Sequence, residues 1–131
     1  MAKNLEIGKS GEDIACGYLV KKAYKILERN FKKPWGELDI ITQDPQKTLV
    51  FIEVKAMAKD KPDSVGRGYQ LVPEDNLTQV KLRQVIKSAS LYANSHQDLI
   101  SQSGWRIDLI AVDLYPDDTH QLRHLENIVM F

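Results

Sequence analysis

The chain has little of several residue types and patterns, and each absence excludes a class of protein. It contains one cysteine, Cys16, which excludes an internal disulfide framework and suits a reducing compartment. No apolar run approaches the roughly 18 residues that a membrane-spanning helix needs. The N-terminal residues also lack the apolar core of a signal peptide. We therefore expect a cytoplasmic protein without a membrane partner.

Net charge is absent as well, because 18 Lys and Arg residues balance 18 Asp and Glu residues. Bulk charge therefore does not point to nucleic acid. The charges are nevertheless segregated: residues 1–33 hold eight basic and four acidic residues, whereas residues 34–54 hold one basic and four acidic residues. Such segregation can place a basic surface around an acidic pocket, although solvated helix faces explain the pattern equally well.

What is present is an ordinary globular composition. The 131 residues, 43% hydrophobic and 27% charged, predict a single domain over residues 1–131. Apolar residues at helical spacing predict a first helix over residues 8–23, with a capping box formed by Ser10 and Asp13. A second helix is predicted over residues 77–94, with Asn76 as its N-cap.

Five segments have the composition and alternation of β-strands, and they cover residues 24–30, 36–44, 48–57, 105–115 and 122–131. The resulting order is α-β-β-β-α-β-β, which is typical of an α/β protein with a mixed central sheet flanked by helices. The first three strands predict a meander, and the second helix predicts a crossover to a strand beside it. The last strand is predicted at an edge of the sheet.

Three charged residues interrupt the most hydrophobic part of the chain, "WGELDIITQDPQKTLVFIEVKAM". Alternation places Glu53 and Lys55 on one face of the third strand. A short turn between the second and third strands then brings Asp39 close to Glu53. Because the third strand begins apolar on both faces, we predict that it is central and covered on both sides.

Two carboxylates in a half-buried site repel each other and are difficult to desolvate, and a divalent cation relieves both effects. Mg²⁺ or Mn²⁺ would be held by Asp39, Glu53 and the backbone carbonyl of Val54, with water as the remaining ligands. The bound ion would polarise a phosphodiester and activate a water molecule. Lys55 would orient that water or stabilise the charge that develops on phosphorus. A structural ion pair between Lys55 and either acid is the competing explanation.

Further residues extend this pattern over nearly the whole chain: Gly11-Glu12 with Ala15 and Leu19, Tyr24, Asn30, Gly36-Glu37-Leu38-Asp39, Phe51-Ile52-Glu53-Val54-Lys55, Lys81 and Arg106-Ile107-Asp108. Together they resemble the YraN-type bacterial proteins. These are similar to the restriction-endonuclease-like, or PD-(D/E)xK, nucleases, and to archaeal Holliday junction resolvases in particular. The resemblance implies a restriction-endonuclease-like α-β-β-β-α-β core. It also implies that Asp39 and Glu53 match the metal carboxylates, Lys55 the catalytic lysine, and Glu12 a helix glutamate near the metal.

The chain departs from that family after the lysine, where Ala56-Met57 replaces the usual Thr-Arg. If that arginine contacts phosphate, one contact is missing here, and Lys59 or Arg67 in the following loop would substitute for it. Lys81 and Arg83 on the second helix are further candidates for phosphate contacts, or else part of a solvated helix face.

We therefore expect a Mg²⁺- or Mn²⁺-dependent nuclease that acts on DNA, including branched or repair-intermediate DNA, as a monomer or homodimer. The expected catalytic residues are Asp39, Glu53, Lys55 and Glu12, with Glu12 on the same side of the sheet as the two other acids. The alternative is an inactive, nuclease-like module that binds nucleic acid or protein, for which the missing arginine and the zero net charge leave room.

Three further features have two explanations each. Trp35, beside the turn between the first two strands, is expected to cover the end of the sheet, although stacking on a base is the alternative. Glu37 and Asp108 either join the acidic pocket or lie outside it. In the second case Asp108 forms a structural pair with Arg106.

Overall fold

The computed structural model describes residues 2–60, 78–102 and 104–129. The elements are α1 (Ala2–Lys21), β1 (Lys25–Lys33), β2 (Gly36–Gln43), β3 (Leu49–Ala58), α2 (Gln79–Ser95), a single 3-10 turn (Gln97–Leu99), β4 (Trp105–Leu114) and β5 (His120–Leu125). This succession confirms the predicted order of helices and strands.

The strands form one mixed sheet in the order β1-β2-β3-β4-β5. The β1–β2, β2–β3 and β4–β5 pairs are antiparallel, whereas β3 and β4 are parallel. The predicted meander, the crossover through α2 and the edge position of the last strand are all confirmed. β3 lies in the centre, and its first five residues are buried.

The two helices cover opposite faces of the sheet. On one face, Ala15 and Leu19 of α1 pack against a cluster that includes Val50 and Ile52 of β3. On the other face, α2 packs against a cluster that includes Phe51. Burying one such aliphatic or aromatic side chain contributes about 1.5–3 kcal/mol, so a central strand with two apolar faces is a main source of stability. Neither helix, over the part of the chain that the structure describes, is long and apolar enough to cross a membrane.

The beginnings of both helices differ from the prediction. α1 starts at Ala2, so Ser10 and Asp13 lie inside the helix and the predicted capping box is wrong. Residues 2–7 contain no Gly or Pro, and nothing in their composition stops a helix from extending through them. α2 is capped by Thr78, whose Oγ1 accepts a hydrogen bond from the Lys81 backbone N–H at 3.1 Å. The predicted cap, Asn76, lies outside the described residues.

The last strand is shorter and begins earlier than predicted. It covers His120–Leu125 and not residues 122–131. Asn127 has a φ of +54°, in the left-handed region, which takes the chain out of the strand. The backbone N–H groups that follow find other partners, since Asn127 donates to the Asp108 carboxylate and Ile128 to the Ile107 carbonyl.

Candidate active site

The candidate site lies where β2 and β3 separate. The two strands are paired as far as Ile40 and Ile52, and Asp39 and Glu53 are the next residues on each strand. Each carboxylate there accepts a backbone N–H from the opposite strand. The Val54 N–H donates to Asp39 Oδ2 at 2.9 Å, and the Asp39 N–H donates to the Glu53 carboxylate. The two acids are therefore held across an opening in the sheet.

The opening coincides with a break in the alternation of side chains. Leu38 packs in the cluster under α2, although Ile40, two residues later on the same strand, packs under α1. A regular strand would place both on one face. Asn30, opposite Asp39 in β1, has a φ of +52°, and Phe31 after it contacts α2. Regular alternation therefore does not continue through Asp39 on β2 or through Asn30 on β1.

Burial dominates the electrostatics of the acid pair. Glu53 is 5% exposed, and burial together with the negative charge of Asp39 raises its pKa to about 8. Burial also raises the pKa of Asp39, against the opposing effects of the Val54 N–H and the charges of Lys81 and Lys55. Without a cation the Glu53 carboxyl therefore tends to keep its proton at neutral pH, and a bound cation would favour the ionised form of the pair.

Glu12 reaches the opening from the other helix layer. Burial and the charge of Asp39 raise the pKa of Glu12, and the Asn30 side chain hydrogen-bonds it. Glu12 lines a cavity with Asp39 on the α1 side, whereas Lys81 contacts Glu53 from α2. That Glu12 acts together with both other acids stays a prediction. Gly11 explains the close approach of α1: a Cβ at this position would lie 2.5 Å from the Ala56 Cβ, so the helix backbone rests directly on β3.

Two lysines complete the site. Lys55 lies two residues after Glu53 on β3, and its charge lowers the pKa of Asp39. Lys81, on the first turn of α2, places its Nζ 3.7 Å from Glu53 Oε1 while its side chain stays 44% exposed. The sequence analysis treated Lys81 as a phosphate contact or as part of a solvated helix face, and not as a partner of Glu53. The predicted crossover was the sequence feature from which this contact could have been inferred. A helix that connects two parallel strands begins near the carboxyl end of the first strand, which is β3 here.

The other predicted phosphate-binding residues are differently placed. Arg83 is exposed on α2. Lys59 is 17% exposed, and its Nζ lies 3.2 Å from the buried carboxylate of Asp113, so the amine already pairs with another acid. Arg67 lies outside the described residues. Contacts of these three residues with DNA remain predictions.

Glu37 and Asp108, which the sequence placed either in the acidic pocket or outside it, have different positions in the structure. Glu37 joins the opening, since it is exposed and its charge raises the pKa of Asp39. Asp108 does not join it. Its Oδ1 accepts a hydrogen bond from Arg106 Nε at 3.0 Å, which bears out the structural pair.

The donor set of the opening fits a hard divalent cation. Within residues 2–60, 78–102 and 104–129, no three His, Cys, Asp or Glu side chains form a ready-made ligand cluster. Two carboxylates and the Val54 carbonyl are nevertheless oxygen donors of the kind that Mg²⁺ and Mn²⁺ prefer, and Mg²⁺ commonly keeps several waters. The raised pKa values of both acids mean that their ionised forms lack positive charge nearby, and a bound divalent ion would supply it in exchange for a proton.

Comparison with known protein families identifies the chain. The model of "Uncharacterised protein family UPF0102" matches residues 11–112. The chain belongs to the UPF0102 family. Similar UPF0102 proteins occur in Trichlorobacter lovleyi (35% identical, covering 95% of this chain and 90% of the relative), Persephonella marina (39%, covering 80% and 81%) and Thermodesulfovibrio yellowstonii (38%, covering 94% and 95%).

UPF0102 membership confirms the YraN-type resemblance. The matched region includes every member of the opening, from Glu12 through Asp39, Glu53 and Lys55 to Lys81. The names of these relatives state the family and no activity.

Proposed function

We propose that this UPF0102 protein is a divalent-metal-dependent nuclease that hydrolyses phosphodiester bonds in DNA. The observation that carries the proposal is the pair of half-buried Asp39 and buried Glu53, held across the opening between β2 and β3 with lysine charges beside it. Both carboxylates have raised pKa values, so they are poised to receive a cation. This combination suits chemistry on a phosphate better than a purely structural ion pair.

The roles of the residues follow from their positions. Asp39, Glu53 and the Val54 carbonyl would hold the ion, and Glu12 would hold one of its waters. When bound, such an ion polarises a phosphodiester and lowers the pKa of a bound water. The Lys55 amine would orient the attacking water or stabilise negative charge on phosphorus. Lys81 holds the Glu53 carboxylate and has enough exposure to meet a phosphate.

The test is single-turnover cleavage of single-stranded, duplex, flap and four-way-junction DNA with saturating Mg²⁺ or Mn²⁺. Lys55→Ala should slow cleavage by about two orders of magnitude, which is the effect of losing one preorganised stabilising group. DNA binding in Ca²⁺ should stay nearly unchanged in this variant. Glu53→Gln should lose both metal binding and cleavage.

Two control variants make the result interpretable. Asp39→Asn should abolish cleavage, so residual activity in that preparation would come from a contaminant. Lys25→Ala removes an exposed lysine at the start of β1 and should cleave like the wild type. Equal cleavage by Lys55→Ala and wild type would contradict the role of Lys55 and favour the ion-pair explanation.

A second function is favoured by one specific contact. Lys81 already places a positive charge 3.7 Å from Glu53, which partly compensates the acid pair without any metal. Together with Ala56-Met57 in place of Thr-Arg, this arrangement suits a nuclease-like module that binds nucleic acid or protein without turnover. Binding of DNA without cleavage of any substrate in the panel would support this function over the first.

A further inference from the structure

A second feature, next to the acid pair, is a cleft between the β1–β2 hairpin and α2, which we call the hairpin cleft. It has a volume of about 460 Å³, within the range of small-molecule binding sites. Its lining includes Lys33, Trp35, Glu37, Lys81, Lys87 and Ser88. Because Lys81 also contacts Glu53, the hairpin cleft leads directly to the opening.

The walls of the hairpin cleft are fixed by close packing. A Cβ at Gly36 would collide with the Ser88 side chain, so the hairpin backbone rests directly on α2. Phe31 links the two walls, since its ring centroid lies 5.8 Å from that of Trp35 and 5.2 Å from that of Tyr92. The Trp35 ring is therefore supported by the core although the residue is 39% exposed. The prediction that Trp35 covers the sheet end accounts for its contact with Phe31 but not for its exposure.

The charge of the hairpin cleft differs from that of the whole protein. Three lysines, Lys33, Lys81 and Lys87, line it against one acid, Glu37, whereas the complete chain has no net charge. The excess of amines around a supported aromatic ring is the combination that single-stranded nucleic acid requires, namely phosphate contacts and a surface on which a base can stack.

The aromatic ring determines which form of nucleic acid fits. A base inside a duplex has both of its faces covered by neighbouring bases, so an indole can stack only on a base that is unpaired or at a strand end. The lysines alone would accept a duplex as readily as a single strand. The exposed indole therefore favours the single strand.

We propose that the hairpin cleft binds unpaired nucleotides of DNA, with a base stacked on Trp35 and the neighbouring phosphates on Lys33, Lys81 and Lys87. The proposal deepens the proposed function and rests on it for one point, that this single strand adjoins the phosphodiester to be cut. Binding itself does not require turnover. The hairpin cleft is then the part of the protein that selects a substrate with an unpaired segment.

The experiment measures binding of a labelled twelve-nucleotide thymidine oligomer and of a duplex of the same length, both with a metal chelator present so that no cleavage occurs. Trp35→Ala should weaken binding of the single strand about 5- to 150-fold, and the duplex much less, because stacking on one aromatic ring has that effect. Trp35→Phe should restore most of the affinity. Lys33→Ala with Lys87→Ala should make the affinity of the single strand less dependent on salt.

Tryptophan fluorescence provides a second measurement. The chain has two tryptophans, and Trp105 packs against Phe51, outside the lining of the hairpin cleft. Trp105→Phe leaves Trp35 as the only tryptophan, which can be excited selectively, and serves as the matched control, which should bind like the wild type. The thymidine oligomer should quench its fluorescence.

The outcomes separate the two proposals. Equal affinity of wild type and Trp35→Ala for the single strand, or an equal loss for duplex and single strand, would overturn the role of the hairpin cleft even if the protein cleaves DNA. Loss of single-strand binding in Trp35→Ala without any cleavage by the wild type would support the hairpin cleft and contradict the nuclease function.

Discussion

The sheet buries carboxylates at two places, and their surroundings differ. At the opening, Glu53 meets a lysine that is nearly half exposed, and its pKa is raised to about 8. The second place is the Asp108 cluster, in which Asp108 is completely buried and is bound by Arg106, His124 and Asn127. Burial alone would raise the pKa of Asp108, but the hydrogen bonds from His124, Arg106 and Asn127 outweigh burial and lower it.

The Asp108 cluster is held together by hydrogen bonds among protein side chains. His124 Nε2 lies 2.8 Å from Asp108, and its Nδ1 lies 2.9 Å from the Tyr18 hydroxyl of α1. Arg106 also donates to Asp44, in the turn between β2 and β3, at 3.0 Å. The cluster thus fastens α1, this turn and β5 to β4. A buried acid surrounded in this way stabilises the fold, whereas the acids at the opening remain available to a cation.

Removing the central acid of the Asp108 cluster should have the largest effect. Asp108→Asn removes the buried charge that Arg106 and His124 share, while Arg106 keeps Asp44 at 3.0 Å as a partner. We therefore expect a loss at the lower end of the about 3–5 kcal/mol of free energy of unfolding that breaking a buried pair costs. Denaturant unfolding of both proteins measures the difference. Asp98→Asn, at an exposed acid, is the control and should change stability little. A loss below about 1 kcal/mol for Asp108→Asn would show that the cluster is not the anchor described above.

The second largest effect is expected for metal binding, which should stabilise the protein through the opening and not through the Asp108 cluster. At a concentration of Mn²⁺ about one hundred times its dissociation constant, the wild type should gain roughly 2.7 kcal/mol in free energy of unfolding. Asp39→Asn and Glu53→Gln should remove this gain, and Lys55→Ala should keep it because the lysine is no ligand. Unfolding curves with and without Mn²⁺ measure it. The same gain in Asp39→Asn as in wild type would locate the ion elsewhere.

The dependence of stability on pH should have opposite signs at the two places. Because the pKa of Glu53 rises from 4.5 to about 8 on folding, the metal-free protein should lose stability as pH increases between those values, by at most about 1.4 kcal/mol per pH unit. Glu53→Gln should flatten this slope. The pKa of Asp108 is lowered below 3.8, so its contribution is present above that value and is lost as pH falls further. Melting temperatures between pH 4 and 9 in a chelator test the first slope, and a wild type that becomes more stable over this range would contradict it.

The smallest effect is expected for Asp39→Asn without metal. The substitution removes the repulsion with Glu53, while an Asn oxygen can still accept the hydrogen bond from the Val54 N–H. We expect a free energy of unfolding that is unchanged or higher by up to about 1 kcal/mol. Denaturant unfolding in a chelator measures this. A loss as large as that of Asp108→Asn would mean that both places serve stability alone.

Much of the fold follows from local sequence patterns. A strand that starts apolar on both faces, as β3 does, must be covered on both sides, and the structure buries its first five residues. Asp39 and Glu53 are separated by a single turn, so one antiparallel pair brings them to the same level. These predictions depend on periodicity and short connections, which a sequence displays directly.

Other parts depend on features that no periodicity reveals. Asn30 has a positive φ where the alternation breaks in both strands. Asn is enriched in this conformation, but an isolated Asn within a strand pattern does not predict it. The contact of His124 with Tyr18 joins residues at opposite ends of the chain. The contact of Lys81 with Glu53 also depended on which side chains of the crossover helix face β3, and the predicted crossover alone does not specify them.

The parallel pairing of β3 and β4 has a consequence for the order in which the protein folds. Leu49 pairs with Trp105, so the whole crossover must close before these strands meet, whereas β1, β2 and β3 are joined by short turns. Loop closure is entropically harder for longer loops, and contacts between distant residues slow folding. We therefore expect the meander to form first and to bring Asp39 and Glu53 together before α2 delivers Lys81. During that interval a divalent ion would be the available counter-charge, so it would accelerate folding as well as stabilise its product.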